Sequence, residues 1–483
     1  MDIAALVIFS LNLLAVLAMV FIERKKPQII ISWATIMFFL PLLGFLIYVL
    51  VGGGLSVGTK IRIRRKKLYS KDYENFIKWQ SEALYLKNYK KSDKEKIKSI
   101  AVFNNNFSES ELIGGNDVEI FTNGKDKIER LKQDLLSAKH SINIEYYIFA
   151  RDKVGKEIMA ILCKKAKQGI KVKLIYDSVG SLRTPKAFFR KLVKAGGEVA
   201  EFFPPFLHIR LIQLKLNYRN HRKIVVIDGK IGYTGGINLR DDHLGLKKKL
   251  SPWRDTHIRV VGRAVYSLQN SFFNDWRFCV KDKSEAKDLV RDGYFPYMHS
   301  RGDVAMQVVT SGPESKHQAI KFALIKAIHL AKEKIVLQSP YFVPDEAFLD
   351  ALKLAKLSGV EVIIMLPKKP DKKFVYLVSL SYARELCELG AKIYLYNGFL
   401  HSKALLIDDT ILSVGSCNAD NRSFSLNFEL NCFLYSKNKV DEYSKIVEED
   451  IKNSTLIDVN YFKNKPFLTK MAQAVFKIFA PLL

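Results

Sequence analysis

The chain carries one ordered set of segments twice, and no other feature limits its possible folds so strongly. Residues 142–149 answer to 335–342, 169–176 to 359–366, and 195–199 to 389–393, at offsets of 193, 190 and 194. His221-Arg222-Lys223 then answers to His401-Ser402-Lys403 at an offset of 180, so the first copy holds about fourteen extra residues within 205–220. In each copy, short Val- and Ile-rich runs alternate with helical patterns such as 154–167 and 345–356. Strands joined by crossover helices produce that alternation. The predicted fold class is therefore α/β, as two fused halves with pseudo-two-fold symmetry.

The last repeated segment carries the chemistry. His221-Arg222-Lys223-Ile224-Val225-Val226-Ile227-Asp228 and His401-Ser402-Lys403-Ala404-Leu405-Leu406-Ile407-Asp408 both read H-x-K-x-x-x-x-D. Six residues separate each Asp from Gly235-Gly236-Ile237-Asn238 or Gly415-Ser416-Cys417-Asn418. His and Lys are two positions apart and project from one face of a strand. Asp has the opposite parity and is expected near the strand end, in a structural more than a reacting role. An imidazole can attack phosphorus or carry a proton, and an ammonium neutralises phosphate oxygens. Two such faces brought together supply a nucleophile, a general acid and two cations around one phosphodiester, with no need of a metal or cofactor. The candidate catalytic set is His221, Lys223, Asp228, His401, Lys403 and Asp408, with Asn238, Ser416 and Asn418 as hydrogen-bonding support.

The amino-terminal residues fix the setting. Residues 3–22 and 29–51 are apolar runs, each close to the 20 residues that cross a hydrocarbon core as a helix. Between them lies Glu23-Arg24-Lys25-Lys26-Pro27, enough for a hairpin turn. A cleavable signal peptide would need a basic start, which the first run lacks. Arg24, Lys25 and Lys26 lie in the turn, whereas Lys60, Arg62, Arg64, Arg65, Lys66 and Lys67 follow the second run. The positive-inside rule then places both hairpin ends, and the body, in the cytoplasm.

The expected layout is a two-helix transmembrane hairpin (1–59), a basic connector (60–110), the two halves (111–300 and 301–465) and an amphipathic helix (466–483). That last helix either closes a core or lies in the membrane interface. The segment Phe202-Phe203-Pro204-Pro205-Phe206-Leu207 either packs inside or dips among acyl chains. A glycine-rich stretch at 53–60 has its Lys and Thr in the wrong order for a phosphate-binding loop.

A formal net charge of +28 calls for a polyanionic neighbour. Nucleic acid and anionic lipid are the candidates, and the membrane runs favour lipid. Five scattered cysteines without a C-x-x-C pair exclude a disulfide scaffold and a zinc ribbon.

The paired motifs and their G-[GS]-x-N tails resemble the phospholipase D superfamily over roughly residues 110–465. Segments 143–149, 253–257 and 339–344, with the amino-terminal hairpin, narrow the resemblance to the bacterial cardiolipin synthases of that type. The resemblance implies two phospholipase D-like halves. It also implies transfer of a phosphatidyl group from one phosphatidylglycerol to another through a phosphohistidine, giving cardiolipin and glycerol. It favours His221 as nucleophile and His401 as acid and base. In such proteins a downstream acid serves each histidine; Glu429 fills that place in the second half and Asp255 in the first. The partners implied are phosphatidylglycerol and anionic membrane lipids, with no nucleic acid. A phospholipid hydrolase or transphosphatidylase with another acceptor, a nuclease, and a membrane scaffold with a decayed site are the rival readings. The metal-dependent cardiolipin synthases that use a CDP-lipid have no counterpart here, because the chain lacks D-x-x-D-G.

Overall fold

The computed structural model describes residues 3–23, 25, 27–52, 89–204, 217–280, 293–298, 302–315 and 317–482. The basic cluster at 60–67, the glycine-rich stretch from 53 and most of the insertion (205–216) lie outside these residues.

The first half contributes β1 (Ile113–Phe121), α-helix Gly124–Ser137, β2 (Ser141–Tyr146), β3 (Lys171–Asp177), β4 (Glu198–Phe202), β5 (Lys223–Ile227), β6 (Ile231–Gly235), the short β7 (Trp253–Arg254) and β8 (His257–Val261). The second contributes β9 (Val304–Ser311), β10 (Lys334–Gln338), the short β11 (Phe342–Val343), β12 (Glu361–Pro367), β13 (Lys392–Tyr396), the short β14 (Phe399–Leu400), β15 (Ala404–Ile407), β16 (Ile411–Gly415), the short β17 (Ala419–Asp420), β18 (Glu429–Tyr435) and β19 (Ser454–Ile457). The fifteen longer strands form one sheet in the order β19-β13-β12-β10-β15-β16-β18-β9-β1-β8-β6-β5-β2-β3-β4. Read outward from the β9–β1 seam, the two arms match strand for strand, with β19 added at one edge. That is the pseudo-two-fold. β2-β3-β4 and β10-β12-β13 are parallel, as crossover helices require, and the strands nearer the seam are antiparallel.

Three apolar layers follow from the alternation along these strands. One lies outside the first half around Ile142, Leu162 and Leu174, and one outside the second around Ile335, Leu352 and Ile364. The third lies between the halves and mixes Ile224, Val226 and Ile258 with Leu406, Leu412 and Leu434. The two arms are thereby locked face to face, and their loops are held in fixed relation.

Part of the expected connector belongs to the body. Lys91–Ser108 is a helix whose Ile97 and Ile100 are buried in the second half's outer layer. Phe202 and Phe203 are also buried, against Phe278 and Phe428.

The amino-terminal region departs from the expected hairpin. Here α1 (Ile3–Leu17) continues through a π-helical turn (Ala18–Ile22) as one 20-residue apolar helix. The run 29–51 is not a second such helix. It divides at Leu40 into α2 (Pro27–Phe39) and α3 (Pro41–Ile47), which continues to Gly52. Pro41 has no amide hydrogen to carry the helical ladder through, and its ring excludes a helical Leu40. α3 folds back along α2: Trp33 and Tyr48 rings stack edge-on at 5.4 Å, and a Cβ on Gly44 would meet the Ile36 carbonyl at 3.0 Å. Among the described residues one helix is long and apolar enough to span and the second run is bent in half, so the second span of the expected hairpin is not confirmed. At the other end α4 (Phe467–Ile478) lies on the helix Lys373–Glu388 without burying any of its residues completely.

Candidate active site

His221 and His401 immediately precede β5 and β15, where the chain enters the sheet. Two short backbone bridges, related by the pseudo-two-fold, set what each histidine meets. β14 pairs in parallel with β7, and the His401 amide donates to the Arg254 carbonyl at 2.6 Å, which brings Asp255 alongside. Asn220 bridges to Phe428, and the His221 amide donates to the Phe428 carbonyl at 2.9 Å, which brings Glu429 alongside. His401 Nδ1 lies 2.6 Å from Asp255 Oδ2, and His221 Nδ1 lies 3.0 Å from Glu429 Oε1. Both acids therefore serve the histidine of the opposite half, where the sequence reading placed one acid with each half. With Nδ1–H given to a carboxylate, each Nε2 is left as the lone-pair nitrogen.

Lys223 and Lys403 each fold back to donate to the carbonyl of their own histidine, as two-residue spacing on one face permits. Both ammonium groups are buried. Burial lowers Lys223 to about 7 and Lys403 to about 8, and Lys403's charge adds to the lowering of Lys223. Burial also brings His221 down to about 4, against the pull of Glu429. Asp255 is held well below the ordinary carboxylate range: burial pushes it up, but His401 and Lys403 outweigh that. Glu429 is lowered despite burial, by His221 and Lys223. In the resting site two ionised carboxylates thus orient imidazoles that burial keeps neutral. Two cations close by await an anion, and their mutual repulsion favours its arrival.

The supporting residues behave differently from the expectation that they hold phosphate. Ser416 Oγ donates to Glu429 Oε2 at 2.5 Å, so it steadies the acid. The matching place in the first half is Gly236, where a Cβ would lie 2.0 Å from Asp255 Oδ1; only glycine fits. Asn238 accepts from the Ile148 amide at 3.2 Å and turns its Nδ2 to His243 Nε2 at 3.4 Å. Asn418 donates to Asp420 at 3.1 Å, and its buried Oδ1 has no partner among the described residues.

Asp228 and Asp408 are not brought to the histidines, which corrects their place in the catalytic set. Each sits at positive φ (53° and 48°) in the turn at the far end of its strand. Asp228 accepts from the amides of Lys139, His140 and Ser141, and Asp408 from those of Lys332, Glu333 and Lys334. Asp408 also pairs with buried Lys96 at 2.5 Å. Each motif aspartate clamps its turn to the strand beside it.

His243 is the site residue that the sequence reading missed. Its Nδ1 lies 3.8 Å from Asp255 Oδ2, and its ring stands edge-on to His401 at 5.1 Å and 4.1 Å from Trp253. Both ring nitrogens also face Asn238: its backbone amide donates to Nδ1 at 3.3 Å, and its Nδ2 lies 3.4 Å from Nε2. His243, Asp255 and His401 also place one ligand atom each within 4.8 Å of one another, close enough for a divalent metal to bridge. Such bridging would engage the acid and the imidazole that the arrangement above pairs with each other. In sequence His243 was an isolated histidine in Asp241-Asp242-His243, with no repeat partner to mark it.

Two neutral, carboxylate-oriented imidazoles beside paired cations suit in-line displacement at a phosphodiester. The family model described as "Cardiolipin synthase, PLD-like domain" matches residues 131–276 and 324–451, and one described as "Phospholipase_D-nuclease N-terminal" matches residues 10–53. A cardiolipin synthase of Listeria welshimeri is 42% identical over 483 residues, covering 99% of this chain and 98% of its own. The major cardiolipin synthase of Bacillus subtilis is 40% identical over 490 residues, covering 98% of each. Among solved structures, phosphatidylserine synthase of Haemophilus influenzae superposes with a TM-score of 0.61 at 14% identity, over 80% of this chain and 98% of its own. At that identity the likeness is one of fold.

Proposed function

The chain belongs to the cardiolipin synthase family of phospholipase D-like proteins, and from that premise we propose that it joins two phosphatidylglycerol molecules into cardiolipin, releasing glycerol. It is a membrane-bound phosphatidyltransferase that works by two displacements at phosphorus. His221 Nε2 attacks the first lipid's phosphodiester, and the bond to the headgroup glycerol breaks. With the anionic phosphodiester bound, His401 is the imidazolium, its Nδ1–H on Asp255, and it gives its Nε2 proton to the departing oxygen. The phosphatidyl group now rides on His221. His401 then takes the proton from a terminal hydroxyl of a second phosphatidylglycerol, whose oxygen displaces His221 and completes cardiolipin. Atoms and protons balance over the cycle.

Lys223 and Lys403 hold the equatorial oxygens as their charge builds. Glu429 and Asp255 hold each ring in the tautomer that presents Nε2, and stabilise the cation each ring becomes. Ser416 supports Glu429, and Asn238 supports His243. Asn418 Oδ1 is free to accept from a glycerol hydroxyl. The catalytic body is cytoplasmic, on the side of the basic residues that flank the apolar segments.

The observation that carries this reading is the crossed pairing, His221 with Glu429 and His401 with Asp255, because it sets both imidazoles in one site. Purified protein given radiolabelled phosphatidylglycerol alone tests it. Cardiolipin and glycerol in equal amounts are expected. Phosphatidic acid as the sole lipid product would make the protein a hydrolase instead.

A further inference from the structure

The amino-terminal helices have a shape that two antiparallel spans do not have. α1 is 20 residues long and, at 1.5 Å per residue, about as long as a hydrocarbon core is thick. α2 has 13 residues, a length of about 20 Å, and falls short of the far side. The chain then reverses at Leu40 and returns through α3. Lys25, which precedes α2, donates to the Gly52 carbonyl at the end of the return, so both ends of the folded run lie together. At the reversal, Phe38, Phe39, Leu40, Leu42 and Leu43 are all exposed, Phe38 by 78% and Phe39 by 74%. An apolar tip of this size is stable in lipid and not in water.

The side-chain donors of Asn12, Ser10 and Thr35 are satisfied within the bundle, as a bilayer interior demands, while Asn12 Oδ1 is buried without a partner among the described residues. Asn12 Nδ2 donates to the Pro41 carbonyl beside the reversal at 3.1 Å. Ser10 and Thr35 donate to carbonyls four residues back in their own helices.

We propose that α1 alone crosses the bilayer, while α2 and α3 form a re-entrant pair inserted from the side on which the catalytic body lies. Asp2 is then on the opposite side from the body. The charge pattern fits this better than it fits two spans. With two spans, the basic residues flanking the helices divide six against three. With one span and a re-entrant pair, all nine lie on the body's side, and Asp2 is the sole charged side chain across the membrane.

The carboxyl-terminal segment joins the same end of the bundle. Ser32, near the start of α2, donates to the Ile478 carbonyl at 2.9 Å, and Leu482 packs on the cluster of Met19, Trp33 and Tyr48. α4 leaves Phe467, Leu468, Met471, Val475 and Ile478 exposed, while Lys477 pairs with Glu385 of the body. An amphipathic helix at the mouth of a re-entrant pair lies in the headgroup layer, its apolar side among acyl chains. The bundle and α4 together make one lipid-facing surface, and its partner is the leaflet that supplies the substrate.

This rests on the protein being membrane-bound, and the test separates the two readings. Asp2→Cys and Lys26→Cys are expressed separately in the full chain and treated with a membrane-impermeant maleimide, in intact and in permeabilised cells. Unsubstituted protein gives the baseline for its own five cysteines. Cardiolipin formation is measured on the same permeabilised cells. The expected result is labelling of Asp2→Cys in intact cells and of Lys26→Cys only after permeabilisation. The reverse pattern would restore two spans and overturn the proposal. Equal labelling of both variants in intact cells, or of neither, would overturn it too, because no helix would then separate the two positions. Loss of cardiolipin formation with the expected labelling would count against the enzyme reading alone.

Discussion

His401 Nδ1 and Asp255 Oδ2 lie 2.6 Å apart although 146 residues separate them and each belongs to a different half of the repeat. The carboxylate fixes the ring's tautomer and favours the imidazolium that forms when His401 takes a proton. Replacing it with an amide keeps the shape and removes the charge. Asp255→Asn is expected to lower kcat by about 10²-fold or more with little change in KM, the scale of lost acid–base help. Initial rates of cardiolipin formation at matched circular dichroism check this. Glu429→Gln is expected to act in the same direction through His221.

The pH dependence follows from two kinds of buried group. His221 must be neutral to attack, and its pKa is about 4, so kcat/KM falls as pH drops through that value. Lys223 and Lys403 must be charged, at about 7 and about 8, so kcat/KM falls again as pH rises through that range. His401 must also hold the proton it gives the leaving group, and burial lowers it well below the ordinary imidazole range, so the alkaline side of the bell declines first with His401 and then with the lysines. Arginine stays charged throughout, so Lys223→Arg is expected to move the second decline upward even where its geometry lowers the maximum. A second decline that stays in place would assign it to another group.

His243 acts on the reaction through Asp255. His243→Ala removes a ring that stands edge-on to His401 and 3.8 Å from Asp255, and kcat is expected to fall about tenfold with KM nearly unchanged, about 1.4 kcal/mol of lost positioning. His243→Gln keeps a polar group beside Asn238 and Asp255 and should recover part of the loss. A space-filling role alone would give equal losses for both.

Asp408 is a clamp, and its loss should appear in stability. Asp408→Ala frees three backbone amides and strands Lys96, whose side chain is 6% exposed. Breaking a buried pair from one side costs about 3 kcal/mol. A fall in Tm of roughly 3 °C is expected by scanning calorimetry, with near-normal turnover at temperatures where the variant stays folded. Lys96→Met added to Asp408→Ala should recover part of the fall.

How much of this was legible depends on how far apart the causes lie in the chain. The α/β alternation and the identities of both His–Lys pairs are local patterns, repeated twice, and the sequence displays them openly. Asp255 and Glu429 could be named as acids, but their exchange across the halves could not be read. It depends on two short backbone bridges, Phe399–Leu400 with Trp253–Arg254 and Asn220 with Phe428, which leave no periodic trace. The fold-back of the second apolar run did leave a sign, since Pro41 interrupts it, but hydropathy alone runs straight through that residue. Asn238 and Ser416 had the right chemistry to hold an anion. Only the packing reveals that their donors are already engaged.

The exchange of acids also bears on how such a chain can arise and change. Either half translated alone would hold an imidazole with no acid to orient it, so activity would require a second copy docked across the seam between β1 and β9. The present chain holds that pairing within one polypeptide. Within it the two acids are flanked unlike each other, glycine beside one carboxylate and serine beside the other. Split into two separately expressed pieces, the enzyme should regain turnover only in cells that make both.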